Sequence, residues 1–210
     1  MVTIIEPHGD DALISCSSVL ASGVPVRIVT VFDDRPSQKI AQYYPNVQVI
    51  SLNIDRFRGT QYADRPKASE FATSIEKREP VWECWKDKVL QDNKDLFEDV
   101  KKSIEPYVVG TVYTLIGCLH AQHIMVREAV LQLNPERAIF AAEPAIRFRR
   151  IGMLAERAAV KALNPSKTKT RKSDAKKIEV FKKVYTTETY LIRSKSLEDD
   201  FMESEVFWKC

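Results

Sequence analysis

The first 32 residues, MVTIIEPHGDDALISCSSVLASGVPVRIVTVF (1–32), decide the fold class. MVTII and VPVRIVTVF are short β-branched runs typical of buried strands, and residues 12–22 between them have helical character that ends at Gly23. A strand, a helix and a second strand in this order predict a right-handed βαβ unit. Because such units join parallel strands, the sequence predicts a parallel sheet.

The rest of the chain continues this alternation of strands and helices. Helices are predicted over 37–44, 87–105 and 122–133, with a short helix or turn over 178–185; residues 55–80 are polar and predicted to be a long surface excursion. Further strands are predicted in VQVISL (47–52), TVYTLIG (111–117), AIFAAE (138–143) and TETYLIR (187–193). We therefore expect one domain over residues 1–210, with an α/β Rossmann-like layered architecture in which helices flank a mostly parallel sheet.

The composition is that of a soluble globular protein, with 44% hydrophobic and 29% charged residues. No apolar run reaches the roughly 18 to 20 residues of a membrane-spanning helix, so we expect a cytoplasmic protein without a membrane span. The four cysteines are scattered and form no CxxC pair, which predicts reduced thiols. The sequence does not predict an oligomeric state.

Positive charge is concentrated in residues 161–183, which carry nine lysine and arginine residues against two acidic residues. A segment of this kind is commonly a solvated loop and helix face. It also suits contact with phosphate groups or a nucleic acid. Both interpretations remain open from the sequence.

All three histidines follow predicted strands. His8 lies in PHGDD behind MVTII, and His120 and His123 lie in LHAQH behind TVYTLIG. Because the turns after parallel strands meet at the carboxyl edge of a sheet, this topology can bring the two stretches together. Two imidazoles and a carboxylate suit a zinc ion that keeps a coordination position open. A histidine in a turn is more often only hydrogen-bonded, so the spacing alone also allows strand-end turns without a metal.

Both histidine stretches resemble signatures of a known family. PHGDDALIS (7–15) is similar to the HPDDE signature of the PIG-L/LmbE-like N-deacetylases, and HAQHIMVREAV (120–130) is similar to their HPDH signature and the helix behind it. KKIEVFKKVYTTE (176–188) resembles a late segment of the same family. These are zinc enzymes that remove the acetyl group from N-acetylglucosamine units of small glycoconjugates. The resemblance implies a zinc-dependent amide hydrolase whose partner is an N-acetylated amino sugar.

The resemblance also implies roles for individual residues. His8, Asp11 and His123 would hold the metal, leaving positions for water and substrate. Asp10 would be the general base that takes a proton from the attacking water. His120 would stabilise the developing oxyanion as a cationic or donor group. Zn²⁺ is the implied cofactor, although other divalent metals such as Fe²⁺ and Co²⁺ can occupy such a site.

Several other residues have both a functional and a structural interpretation. Asp34 and Arg35 follow the second strand at the same rim, where the family binds its sugar, which predicts substrate contact; turns rich in aspartate are also common for local reasons. Trp82 and Trp85 could stack on a sugar, but their spacing favours a packed helix edge. Glu143 follows AIFAAE and is expected near the mouth of the site without a specific role.

The chain departs from the family pattern near both motifs. Gly9 replaces a proline, which is expected to loosen the loop, and Ala12 replaces a glutamate, which is expected to weaken orientation of the site. Gln122 replaces an aspartate that would support the charge of His120, and serines 17 and 18 lie near the place of a glycine pair. These departures keep a catalytically inactive metal-binding or ligand-binding homologue as an alternative. A deacetylase for a nucleic-acid-linked substrate, held by residues 161–183, is a further one.

Overall fold

The computed structural model describes residues 1–33, 35–55, 66–77, 80–143, 150–185 and 205–209. The strands in these ranges are β1 (Val2–His8), β2 (Val26–Asp33), β3 (Val47–Ser51), β4 (Val112–Leu115), β5 (Ala138–Ala141), β6 (Lys167–Arg171) and β7 (Glu205–Lys209). The α-helices are α1 (Asp11–Leu20), α2 (Ala68–Lys77), α3 (Val81–Asp92), α4 (Lys94–Ile104), α5 (Ala121–Leu133), α6 (Arg150–Leu163) and α7 (Lys177–Val184). Short 3-10 helices span Arg35–Gln42 and Glu105–Tyr107.

The strands form one sheet in the order β3-β2-β1-β4-β5-β7-β6. Strands β1 to β5 are parallel to their neighbours, and β7 runs antiparallel to both β5 and β6. The predicted α/β architecture with a mostly parallel sheet is therefore confirmed. Because β2 and β4 lie on opposite sides of β1, the strand order reverses there, and a crevice opens at the carboxyl ends of β1 and β4.

Helices cover both faces of this sheet, because the strand residues alternate between two apolar clusters. One face carries Phe140 and Trp208 and packs against α3, α4, α5 and α6. The other face carries Tyr113 and Phe207 and packs against α1 and α7. Trp82, on α3, is fully buried in the first cluster. None of the described helices has the length and apolar character needed to cross a membrane.

The structure corrects several element predictions. The excursion predicted over 55–80 contains helix α2, and the helix predicted over 87–105 is two helices, of which the first already begins at Val81. The break falls at Asn93, whose backbone N–H and side-chain amide both donate to the carbonyl of Val89, at 3.2 and 2.8 Å. Helix α6 and strands β6 and β7 were not predicted, since KTKTR and EVFWK lack a long apolar run. The predicted strand TETYLIR (187–193) lies outside the described residues.

Gly117 permits the close approach of the β4–α5 loop to helix α5. Its φ is +60°, and a Cβ at this position would lie 2.6 Å from the backbone oxygen of His123 and 3.1 Å from the Cβ of Arg127. A side chain is thus excluded both by backbone conformation and by space. The resulting contact fixes the first turns of α5 against the end of β4.

We expect Gly117→Ala to lower the free energy of unfolding by about 3 kcal/mol, because left-handed strain and overpacking add. Gly23→Ala is the matched control, since Gly23 has a φ of +76° but no atom within 4 Å of its added Cβ. That variant should lose only about 1 kcal/mol. Denaturant unfolding measures both values, and equal losses would show that the contact with His123 is unimportant.

Candidate metal centre

The two histidine stretches meet in the crevice at the carboxyl ends of β1 and β4. Strand β1 ends at His8, and α1 begins at Asp11 after a turn of two residues. The pairing of β1 with β2 is irregular between Glu6 and His8, so the end of β1 leaves the regular ladder. The backbone N–H of His8 donates to Oδ2 of Asp11 at 3.0 Å, which closes the turn and places both side chains on one side.

Helix α5 supplies the other imidazoles. His120 is its N-cap residue, with an extended backbone (φ −86°, ψ 133°), and His123 lies one turn inside the helix. The ring centroids of His120 and His123 are 5.0 Å apart, and the same distance separates the rings of His8 and His123. All three histidines of the chain are therefore brought together, as predicted from their positions after strands.

Three of these groups form a compact triangle of ligand atoms. Nδ1 of His8 lies 3.1 Å from Nε2 of His123, and Oδ2 of Asp11 lies 3.5 Å from the first atom and 3.6 Å from the second. Metal–ligand distances of about 2.0 to 2.1 Å in a tetrahedral zinc site separate neighbouring ligand atoms by about 3.3 Å. The triangle thus has the dimensions of three corners of a zinc tetrahedron.

The donor set fits the same metal. Among the described residues, His8, Asp11 and His123 form a group able to hold a metal ion. Two imidazole nitrogens and one carboxylate oxygen suit Zn²⁺ when a further coordination position stays open, and they also suit Fe²⁺ or Co²⁺. Asp11 and His123 are buried, whereas His8 is half-buried, so the group faces the surface from one side.

Glu143 orients His123 from behind. Nδ1 of His123 donates to Oε2 of Glu143 at 2.7 Å, and the other carboxylate oxygen accepts the N–H of Cys118 at 3.2 Å. This contact fixes the ring so that Nε2 points into the ligand triangle, as carboxylates commonly do for metal-binding histidines. From the sequence, Glu143 was expected near the mouth of the site because it follows a predicted strand, but its contact with His123 was not predicted.

The carboxylates around His123 determine its protonation. Burial disfavours its charged form, but the negative charges of Asp11 and Glu143 outweigh burial and raise the pKa of His123 to about 9. Burial also acts to raise the pKa of Asp11, yet His123 and His8 hold that pKa below its usual value. A metal ion at this position would therefore have to displace a proton from His123 at neutral pH.

His120 behaves in the opposite way. Part of the His120 side chain is exposed, but the rest of the ring is shielded from water, and this loss of hydration disfavours its charged form. The positive charge of His123 adds to the effect. Together they lower the pKa of His120 to about 4. In the metal-free protein His120 is thus neutral near pH 7. Of the two roles predicted for His120, hydrogen-bond donor and cation, this favours the donor.

Three solved deacetylase structures have folds similar to that of this chain. The zinc-inhibited form of teicoplanin deacetylase Orf2 superimposes with a TM-score of 0.60 at 14% sequence identity, over 99% of this chain and 96% of the other. A deacetylase–teicoplanin complex gives a TM-score of 0.58 at 13% identity, with the same coverage. The pseudoaglycone deacetylase Dbv21 gives 0.52 at 15% identity, again over 99% and 96% of the two chains.

This chain shares the fold of these deacetylase structures. The resemblance inferred from PHGDD and HAQH is therefore confirmed at the level of the fold, which extends over almost the whole chain. No family model matches the sequence, and no curated protein matches it significantly. The departures from the family motifs agree with so distant a sequence relationship.

Near Ala12, one departure from the PIG-L/LmbE-type pattern is accompanied by a different carboxylate. Glu6 is buried, and its carboxylate accepts the N–H of Ala12 and the hydroxyl of Thr30, both at 2.7 Å. Burial, and after it the charge of Asp11, raise the pKa of Glu6 well above its ordinary value. Glu6 thus connects the first turn of α1 to β2. This contact was not predicted from the sequence, because it depends on how the side chains pack.

The serines near the place of the family's glycine pair bind a carboxylate from β7. Glu205 accepts the hydroxyls of Ser17 and Ser18, both at 2.5 Å, and the N–H of Ser18 at 3.1 Å. Helix α1 departs from helical geometry at Cys16 (φ −133°, ψ 24°). The N–H of Ser18 is therefore available to Glu205, and the two serines anchor the kinked helix to the sheet.

The remaining predicted site residues are placed as follows. Asp10 is the half-buried N-cap of α1, directly beside the candidate ligand Asp11. The backbone of Arg35 begins a 3-10 helix after β2, and Asp34 lies outside the described residues. Trp82 and Trp85 are buried in the core, which confirms the packed interpretation and gives a sugar no exposed ring face.

We expect Glu143→Gln to weaken the affinity for Zn²⁺ by about 10-fold to 100-fold, because it removes the charge that orients and polarises His123. The pKa of His123 in the metal-free protein should also fall from about 9, since the carboxylate charge raises it. Competition with a chelator measures the affinity, and NMR titration measures the pKa. Glu128→Gln is the control, because the Glu128 carboxylate pairs with Arg127 and not with a histidine. Unchanged zinc affinity in Glu143→Gln would contradict the orienting role.

Proposed function

We propose that the protein is a zinc-dependent N-deacetylase that hydrolyses the acetamide of an N-acetylated amino sugar in a small glycoconjugate or a sugar-modified polymer. The observation that carries this proposal is the triangle of His8, Asp11 and His123 in the crevice, with Asp10 next to it. Its location in a fold shared with three deacetylase structures supports the reaction class.

The three ligands would leave part of the metal's coordination shell open toward the half-buried side of His8. When bound there, a divalent ion polarises a carbonyl oxygen and makes water acidic enough to react near neutral pH. Glu143 keeps the His123 ring in the orientation that this requires. The proposed metal is Zn²⁺.

Asp10 is the proposed general base. It accepts a proton from the water molecule whose oxygen attacks the acetamide carbon, and the new C–O bond forms as the carbonyl oxygen becomes negative. Breaking the C–N bond then requires a proton on the leaving nitrogen, and Asp10 returns the proton it has taken. The products are acetate and the free amine of the sugar, so water is the only other reactant.

His120 is proposed to stabilise the negative oxygen. It lies at the N-terminus of α5, where backbone N–H groups also favour negative charge. A low pKa keeps the imidazole neutral, and a neutral imidazole donates one N–H hydrogen bond. His120 thus contributes a hydrogen bond without a permanent positive charge.

The amino-sugar substrate and its recognition by Asp34 and Arg35 follow from the family resemblance. Two of the similar structures are of a deacetylase with teicoplanin as its named compound, and one is of a pseudoaglycone deacetylase. They support removal of an acetyl group as the reaction. The cytoplasmic location and the single-domain organisation likewise remain predictions from the sequence.

The two other candidate functions have less support. A nucleic-acid-linked substrate would need the basic segment 161–183, but Lys177 in it is buried beside Glu205 at 3.7 Å. Lys167 and Lys169 lie on the exposed edge strand β6, where lysine commonly prevents pairing with another sheet. The other candidate, an inactive homologue, would bind metal without turnover. Its support is limited to the replacements at Ala12 and Gln122.

The purified protein should contain about one equivalent of zinc, and the double variant with His8→Ala and His123→Ala should contain none. His120→Ala is the matched control, because His120 lies outside the ligand triangle and its loss should leave the zinc content unchanged. Elemental analysis checks all three proteins. Absence of metal from the parent, even after zinc is supplied, would refute the metal-dependent reaction.

Asp10→Asn should retain zinc and lose at least about 100-fold in the rate of acetate release, because the amide cannot accept the proton. A screen of acetylated amino sugars identifies a substrate, and acetate is then measured under saturating zinc. Asp87→Asn serves as the control, since the Asp87 side chain is 69% exposed on α3. Full activity in Asp10→Asn would exclude Asp10 as the base, and zinc-loaded parent protein inactive on every substrate would favour the inactive homologue.

A further inference from the structure

Tyr185 reaches the loop between the metal ligands from a distant part of the chain. It is the C-cap residue of α7 and is fully buried. Its hydroxyl donates to the backbone carbonyl of Gly9 across a sequence separation of 176 residues. Gly9 lies between His8, a proposed ligand, and Asp10, the proposed base. The contact therefore acts on the peptide group that connects these two residues.

Gly9 needs an external restraint because its own backbone is weakly restricted. A glycine lacks the Cβ that confines the φ and ψ angles of other residues. The carbonyl of Gly9 and the N–H of Asp10 belong to one planar peptide group, so a hydrogen bond to that carbonyl limits rotation of the whole group. The direction in which the Asp10 side chain leaves the loop then depends on this bond.

Tyr185 is itself held rigidly. Its N–H donates to the carbonyl of Phe181 at 2.8 Å, and its ring lies 5.1 Å from the ring of Phe181 between centroids. At the other end of α7, Nζ of Lys177 lies 3.7 Å from Glu205, which binds the serines of α1. Helix α7 is thus connected to the loop before α1 and, through Glu205, to the kink within α1.

We propose that Tyr185 is a positioning residue that fixes the His8–Asp11 loop, so that the ligands converge and Asp10 faces the attacking water. The part that concerns Asp10 rests on the proposed deacetylase function. A tyrosine that serves only the core would contribute through its ring, and its hydroxyl would affect overall stability alone. The two accounts differ in what removal of the hydroxyl does to the loop.

The test compares Tyr185→Phe with Tyr44→Phe, since each removes the hydroxyl of a buried tyrosine. The Tyr44 hydroxyl donates to Asp174 at 2.5 Å and does not contact the loop. Three quantities are measured in the full chain: amide hydrogen exchange in residues 8–12, zinc affinity by chelator competition, and kcat and KM for acetate release at saturating zinc.

For Tyr185→Phe we expect faster exchange in residues 8–12, about 10-fold weaker zinc binding and about 10-fold lower kcat, with KM within twofold of the parent. Tyr44→Phe should match the parent in all of these. Parental loop exchange and zinc affinity in Tyr185→Phe would overturn the proposal, as would the same changes in Tyr44→Phe. If the parent shows no turnover, the deacetylase function fails, while exchange and zinc affinity still decide the role of Tyr185.

Discussion

The attraction between His123 and two buried carboxylates is the interaction on which the centre depends. Asp11 begins α1 after the turn that follows β1, and Glu143 lies in the segment that follows β5. His123 lies in the first turn of α5, between β4 and β5. Burying two carboxylates without a partner would be costly, because each loses its hydration. The His123 imidazolium between them offsets that cost, so the segments that follow β1, β4 and β5 are held together by compensated charge.

This charge arrangement also gives His120 and His123, at the start of α5, opposite pKa shifts. They belong to one helix and lie three residues apart, yet the pKa of His123 is raised to about 9 and that of His120 is lowered to about 4. At His123 the charges of Asp11 and Glu143 outweigh burial, whereas at His120 burial and the charge of His123 outweigh the same two carboxylates. Environments that push neighbouring pKa values apart are typical of sites where one group holds charge and another exchanges hydrogen bonds.

The sequence predicted the parts of this structure that are encoded locally. The βαβ unit of residues 1–32 and the positions of His8, Asp11 and His123 after strands could be found because strand, turn and helix signals follow one another directly. The contacts of Glu143, Tyr185 and Glu6 could not, since they arise where side chains from separate elements meet. Strands β6 and β7 were missed because neither contains a long apolar run, and β6 consists of alternating lysine and threonine at an exposed edge.

The anchoring of α1 by Glu205 has a consequence for how the protein folds during synthesis. The contact joins Ser17 to a residue 188 positions later, so the ribosome must produce β7 before α1 can reach its final geometry. Until then Ser17 and Ser18 lack the carboxylate that anchors the kink of α1. Contacts of such long range slow folding, because the entropy of closing the loop is lost before the contact forms. The anchoring of the kinked helix α1 is therefore a late step of folding, because it depends on β7.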